Sequence, residues 1–458
     1  MRLLLLLFLI HCSLHAKIPP AQPNFILIMA DNLGYGDIEP FGSRLHRTPN
    51  LDRMVREGRK LTSFYSASGV CTPSRAALMT GCYPRRVGLD WTPEDGHVLR
   101  PVSPNGLHPN EITIAEVLKK TGYATACIGK WHLGDQQKFL PTRQGFDTFL
   151  GLPYSDDMTH ATGQRIGERL RGNQWPALPW MENEKVIEAP ANRNLMTQRE
   201  TAAALKFIAA NKDKPFFLYL PHNMPGSSRQ PFASEAFRGQ SKNGAWGDAV
   251  EELDWAAGQI FAALKKHNID ERTLVIWTSD NGAPCRNPPQ GSNGPLGGWG
   301  YTTAEGGMRV PAIVRWPGFI PAGSVSDELS SLMDLHPTFA KLAGAALPKR
   351  QRDGKNIWPT WSPRNAKSPH DHFFYYHTHT LQAVRDHRWK LTLGDTPKLF
   401  DLKADMAEQH NLIDQQPAVT QRLRTLADRA KTELGHGEQK GKQVRPVGRS
   451  PKPTARTR

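Results

Sequence analysis

Several apolar runs in this chain stop abruptly at polar residues, and that pattern restricts the fold more than any other feature. PNFILIMAD, residues 23–31, is apolar almost throughout and ends in an acid. KPFFLYLPH (214–222) and RTLVIWTSDNG (272–282) repeat the pattern, and YATACIGKWHLG runs from a strand into a polar loop. A run that is apolar at every position suits a strand buried on both faces, as in a parallel sheet. Helical spacing fills the intervals. RTPNLDRMVREG places Thr48 to cap, Pro49 in the first turn, and Leu51, Met54 and Val55 on one face. HPNEITIAEVLKKTG ends at Gly122, and DAVEELDWAAGQIFAALKKHNI is long and amphipathic. This alternation predicts an α/β fold: a large, mostly parallel sheet flanked by helices.

The texture changes near residue 353. FFYYHTHTLQAVRDHRWKLTL reads as strands separated by short polar turns, PKLFDL as a further strand, and QPAVTQRLRTLADRAKTEL as a helix. The expected organisation is an α/β domain over 17–352 and a smaller α+β unit over 353–437. A basic, disordered tail is expected over 438–458. From Lys440 onward that tail carries seven basic side chains and no acid, with Pro, Thr and Gly between them. Residues 1–16, MRLLLLLFLIHCSLHA, read as a secretory signal peptide. The apolar stretch is short for a membrane span, which needs about 20 residues, although an uncleaved anchor is the alternative. Export to the periplasm or the extracellular space is therefore expected, with no integral membrane association. Past the leader the chain holds Cys71, Cys82, Cys127 and Cys285, too few for a disulfide scaffold.

Ligands of open α/β sheets sit at the carboxyl ends of the strands. Four strands here end in polar groups: Asp31 and Asn32, Lys130 and His132, His222, and Asp280 and Asn281. Any one Asp alone reads equally well as a helix cap or turn residue; the agreement of four strand ends argues for a site. Asp31, Asn32, Asp280 and Asn281 offer oxygen ligands, which suits a hard cation. Calcium fits better than magnesium, because it tolerates mixed amide and carboxylate oxygens in irregular geometry. Cys71 opens CTPSR. Beside Arg75 and at a helix start its thiolate should be stabilised, as for a thiol nucleophile; a cysteine packed behind the helix is the other reading. Arg75, Lys130 and His132 add positive charge, so the set describes a receptor for a doubly charged tetrahedral group.

These segments resemble the type I sulfatases of the alkaline-phosphatase-like superfamily. The match runs in family order through NFILIMADNLGYGD, TPNLDRM, CTPSRAALMTG, GYATACIGKWHLG, PTRQGFDTFLGLPYSDD, PFFLYLPH, TSDNG, EGGMRVPAIVRWPG and LQAVRDHRWKL. The GSNGP-to-EGGMR stretch is most similar to the arylsulfatase A and galactosamine-6-sulfatase branch. The resemblance implies that a formylglycine-generating enzyme converts Cys71 to formylglycine. One hydroxyl of its hydrate attacks sulfur and releases the alcohol; loss of a proton from the other then expels sulfate. It further implies calcium ligands at Asp31, Asp280 and Asn281, an arginine holding the hydrate at Arg75, and sulfate contacts from Lys130 and Ser155. His132 would support the hydrate and act as the base, and His222 would be a substrate contact.

The chain departs from the family at three positions. Asn32 replaces an aspartate. PHNMPG has Gly226 where a second histidine belongs. Counting back from EGG, the usual sulfate-binding lysine falls on Gly300. Arg229, His222, Arg286 and Lys242 are the candidates for replacing the lost groups. The leading expectation is a sulfuric ester hydrolase acting on a sulfated carbohydrate or a small sulfated molecule. The alternatives are an impaired homologue that binds sulfated glycans without cleaving them, and a phosphate or phosphonate ester hydrolase. Nucleic-acid binding is a poor reading, because the basic tail lacks interleaved aromatics and no recognition motif accompanies it.

Overall fold

The computed structural model describes residues 19–159, 175–287 and 289–457; the leader expected at 1–16 lies outside them. A 10-stranded sheet forms the centre. Its five middle strands, Thr273–Ser279, Asn24–Asp31, Phe216–Pro225, Ala124–Lys130 and Thr148–Leu152, are parallel neighbours in that order. Ala312–Arg315 and Arg59–Leu61 extend one side antiparallel, and Trp180–Glu182 and Lys185–Glu188 the other. Ser324–Ser326 completes the first side, parallel to Arg59–Leu61, so the expected parallel core is flanked by antiparallel pairings on both sides.

Strand Asn24–Asp31 shows why its sequence is apolar at every position. Phe25, Leu27 and Met29 enter one core, with Leu78 of helix Cys71–Thr80, Leu118 of Ile114–Lys119 and Phe339 of Leu335–Leu342. Ile26, Ile28 and Ala30 enter the other, with Leu51 and Met54 of Pro49–Arg56, Ala204 of Met196–Ala210 and Leu253 of Gly244–Lys266. Period-two alternation divides one strand between two cores, and each fully buried Leu or Ile contributes about 1.5–3 kcal/mol. The helix starts differ in detail from expectation. Thr48 does not cap Pro49–Arg56; its hydroxyl accepts from the Glu39 N–H at 2.8 Å. Thr113 instead forms a full capping box with Glu116 at helix Ile114–Lys119.

Strands Phe373–His377, Thr380–Arg385, Trp389–Thr392 and Leu399–Asp401 form an antiparallel meander. Helix Pro417–Leu434 packs on it through Leu423, Ala427 and Ala430. The third core joins this unit to Tyr65, Ala77 and Met308 of the larger one.

The disordered tail expected at 438–458 is not what the structure shows. Gly448 and Arg449 pair with Gly106 and Asn105 as a strand ladder. The Arg445 guanidinium holds Glu111 at 2.7 and 2.8 Å, and Arg449 reaches Glu94 at 2.6 Å. The tail has no apolar core of its own. It borrows backbone partners and carboxylates from the large domain, which composition alone does not reveal.

Candidate active site

The five parallel strands deliver their last residues to one place. Asp31 ends one strand, Lys130 its second neighbour, and Asp280 follows Ser279 directly. Helix Cys71–Thr80 starts against these ends, so residue 71 is its first residue and Arg75 lies one turn in. Arg75 is fully buried. Its guanidinium donates to Asp280 Oδ2 at 2.7 Å, Asp31 Oδ1 at 3.0 Å and the Lys130 carbonyl at 2.7 Å. Lys130 Nζ donates to Asp31 Oδ1 at 2.8 Å and to Ser155 Oγ at 3.0 Å.

Cys71 Sγ lies 3.4 Å from Asp31 Oδ1 and 3.8 Å from Asn32 Oδ1. The expectation of a stabilised thiolate is corrected here. Burial pushes the Cys71 thiol well above its ordinary value, reinforced by Asp280 and Asp31, against Lys130 and Arg75. Burial, together with the two carboxylates, outweighs the cations beside the sulfur, so the unmodified thiol is a poor nucleophile.

Asp31, Asn32, Cys71, Asp280 and Asn281 converge, and Asp31, Cys71 and Asp280 can each present a ligand atom to one ion. Asp31 Oδ2 and Asn281 Oδ1 are buried without any hydrogen-bond donor. Burial and the Asp31 charge push Asp280 up to about 6, despite Arg75 and Lys130. For Asp31 burial acts the same way but is outweighed by Lys130 and Arg75, which hold it below its ordinary value. Orphaned oxygens at a site still short of positive charge fit an oxygen-ligated cation.

His132 takes a left-handed backbone (φ 60°) and turns its ring toward the cavity. Its Nε2–H donates to the Leu99 carbonyl at 2.8 Å, and Nδ1 has no partner. Burial, then Lys130 and Arg75, hold it well below the ordinary histidine value. The ring is therefore neutral, with a free Nδ1 lone pair turned to accept a hydrogen bond.

A cavity of about 420 Å³ opens over Cys71, with His132, Ser155, Ser227 and Tyr301 in its wall. His222 stands behind that wall, Nδ1 bonded to Glu200 at 2.6 Å. Both family departures at glycine have steric reasons. Gly226 has φ +75°, and a Cβ there would lie 2.6 Å from the Asn223 carbonyl and 3.1 Å from Asp156 Oδ1. At Gly300 a Cβ would meet the Gly282 carbonyl oxygen at 2.2 Å. Neither backbone position accepts a side chain as it stands. Of the candidate replacements, Arg286 comes nearest, donating to the Ser227 carbonyl at 2.5 Å; Arg229 and Lys242 are exposed. Asp156, Ser227 and Tyr301 are not apparent from sequence reasoning. Their signal is adjacency: each follows directly on Ser155 or on one of the two glycine departures.

Residues 23–345 match the sulfatase family, and residues 301–433 match the family described as N-sulphoglucosamine sulphohydrolase, C-terminal. Mouse steryl-sulfatase is 36% identical, the match covering 86% of this chain and 79% of the relative. N-acetylgalactosamine-6-sulfatase of the dog is 38% identical, covering 85% and 76%. The PsFucS1 sulfatase from Pseudoalteromonas sp. superposes with a TM-score of 0.81 at 27% identity, over 93% of this chain and 92% of that one. Fold and site together define a sulfuric ester hydrolase on an alkaline-phosphatase-like sheet. The chain belongs to the type I sulfatases.

Proposed function

We propose that the chain hydrolyses a sulfate monoester borne on a carbohydrate, in the cavity over residue 71, with that residue converted to formylglycine. The observation that carries this reading is the placement of Cys71. It stands at a helix start over two buried carboxylates, beside Arg75 and Lys130, in the wall of a cavity that can admit a substrate.

Asp31, Asn32, Asp280 and Asn281 would hold calcium, for which their mixed oxygens suit better than for magnesium. When bound, such an ion draws charge from the sulfate oxygens and favours the ionised nucleophile. Arg75 holds the hydrate of residue 71, and Lys130 and Ser155 contact the sulfate. His132 Nδ1 takes the proton whose loss expels sulfate. His222 orients the substrate side from behind the wall, held by Glu200.

Maturation requires a formylglycine-generating enzyme as partner. The leader-like start supports export to the periplasm or extracellular space, and no described helix is long and apolar enough to cross a membrane. The test coexpresses the chain with that enzyme, supplies calcium, and verifies residue 71 by peptide mass. Sulfate release is then measured from 4-nitrophenyl sulfate and a panel of sulfated sugars. Release by the converted protein and none by Cys71→Ala is expected. No release from fully converted protein across the panel sinks the reading.

A further inference from the structure

One hydrogen-bonded chain links the departure at Asn32 to the residues that follow the two glycine departures. Asn281 Nδ2 donates to Asn32 Oδ1 at 2.7 Å. Asn32 Nδ2 in turn donates to Ser227 Oγ at 2.9 Å, and Ser227 Oγ lies 3.3 Å from the Tyr301 hydroxyl. Ser227 follows Gly226, and Tyr301 follows Gly300. An aspartate at position 32 has no N–H to give. Asparagine does, and with Ser227 accepting from it the serine can give its own proton to the phenol oxygen. The phenol proton is then unspent.

The backbone aims that phenol deliberately. Tyr301 has φ 69°, a conformation rare for a bulky side chain. It is anchored by its N–H on the Gly69 carbonyl at 2.9 Å, two residues before Cys71. Gly300 makes the turn feasible by packing on the Gly282 backbone. The result is a tyrosine 38% exposed that shares a cavity wall with Cys71 and His132.

We propose that Tyr301 donates a hydrogen bond to the oxygen joining sulfur to the departing alcohol, with Ser227 and Asn32 as its positioning residues. It thereby does the work of the side chains missing at Gly226 and Gly300. When the S–O bond breaks, its electron pair stays on the departing oxygen. The S–O bond breaks as a hydrate oxygen of residue 71 bonds to sulfur and gives up its proton; the phenol proton passes to the departing oxygen to give the free alcohol, and the proton released by the hydrate returns through solvent to the phenolate. This inference rests on the hydrolase reading above.

The experiment compares converted wild type with Tyr301→Phe and Ser227→Ala on 4-nitrophenyl sulfate and on a sugar sulfate. A nitrophenolate leaves without help, whereas a sugar alkoxide does not. Tyr301→Phe is expected to lower kcat on the sugar sulfate about a hundredfold or more, with less than about tenfold loss on the aryl ester. Ser227→Ala should shift the same ratio in the same direction, by less. Equal losses on both substrates, or no loss, with an active wild type overturn the role of Tyr301 alone. A converted wild type that releases no sulfate from any ester overturns the hydrolase reading and this inference together.

Discussion

The molecule buries two clusters of charge, and they are finished to different degrees. At the strand ends Asp31 and Asp280 face Arg75 and Lys130, all fully buried. Yet Asp31 Oδ2 and the neighbouring Asn281 Oδ1 have no donor. At the junction with the C-terminal unit, Glu305 receives Tyr375 at 2.8 Å and Lys390 at 3.1 Å on one oxygen, and Tyr65 at 2.5 Å on the other. Arg385 braces Tyr65, and Lys390 also holds Glu408 at 2.8 Å. Burial alone would raise Glu305, but Lys390, Arg385 and Arg309 bring it down to about 2, whereas Asp280 sits near 6. Glu305 and Asp280 are equally buried and shift oppositely, because Glu305 faces three cations and Asp280 has a second carboxylate, Asp31, beside it; the Glu305 cluster is a completed joint and the Asp280 cluster, with its donorless oxygens, a socket. The joint has all its partners within the chain. The socket keeps two buried oxygens, Asp31 Oδ2 and Asn281 Oδ1, without a donor among the described residues.

The largest test of this contrast falls on the joint. Glu305→Gln leaves Lys390, Arg385 and Arg309 without their common anion. It should cost about 3–5 kcal/mol in urea unfolding. Calcium should still stabilise that variant as it does the wild type.

Next in size is the socket. Calcium at a hundredfold excess over its Kd should add about 2.7 kcal/mol to wild-type stability. Asp31→Asn or Asp280→Asn should abolish that gain in thermal unfolding. A gain that persists undiminished in both variants would place the ion elsewhere.

One carboxylate from each cluster, Glu305 and Asp280, should answer pH in opposite senses. Glu305 is lower in the folded state than its ordinary 4.5, so its contribution is complete above 4.5 and is lost as pH falls toward about 2. Asp280 is higher when folded than its ordinary 3.8. In chelator, its ionisation removes stability as pH rises from about 3.8 through about 6. Subtracting the Asp280→Asn profile from the wild-type profile isolates that loss, and added calcium should reduce it. The smallest effect belongs to a pair outside both clusters. Arg449→Ala breaks a solvent-screened contact with Glu94 and should cost less than about 1 kcal/mol.

Sequence reveals what depends on local pattern. The alternating faces of Asn24–Asp31 require two cores, and strands that end in Asp31, Lys130 and Asp280 can bring those residues together only if they run parallel. The convergence of Cys71, Arg75, Asn32 and Asn281 follows from the same ordering. Local pattern does not reveal the direction in which a neighbourhood moves a titrating group. The Cys71 thiol depends on which of two opposite charges lies nearer and how deeply all are buried, and those are facts of packing. Nor does it show that the Tyr301 backbone enters the left-handed region, because that turn is imposed by Gly300 against Gly282. The tail is a third case. Its basic residues look unpartnered until Glu94 and Glu111 are brought beside them.

That tail also sets an order of events. Arg85, just beyond the helix that opens with Cys71, donates to the carbonyls of Leu434, Gly437 and Gln439, and the first of these lies 349 residues along the chain. Arg445 N–H closes on the Arg86 carbonyl. The stretch following Cys71 therefore gains its last fastenings only when the final part of the chain has been made. Throughout synthesis up to that point, the stretch that follows residue 71 is held by fewer bonds than in the finished protein.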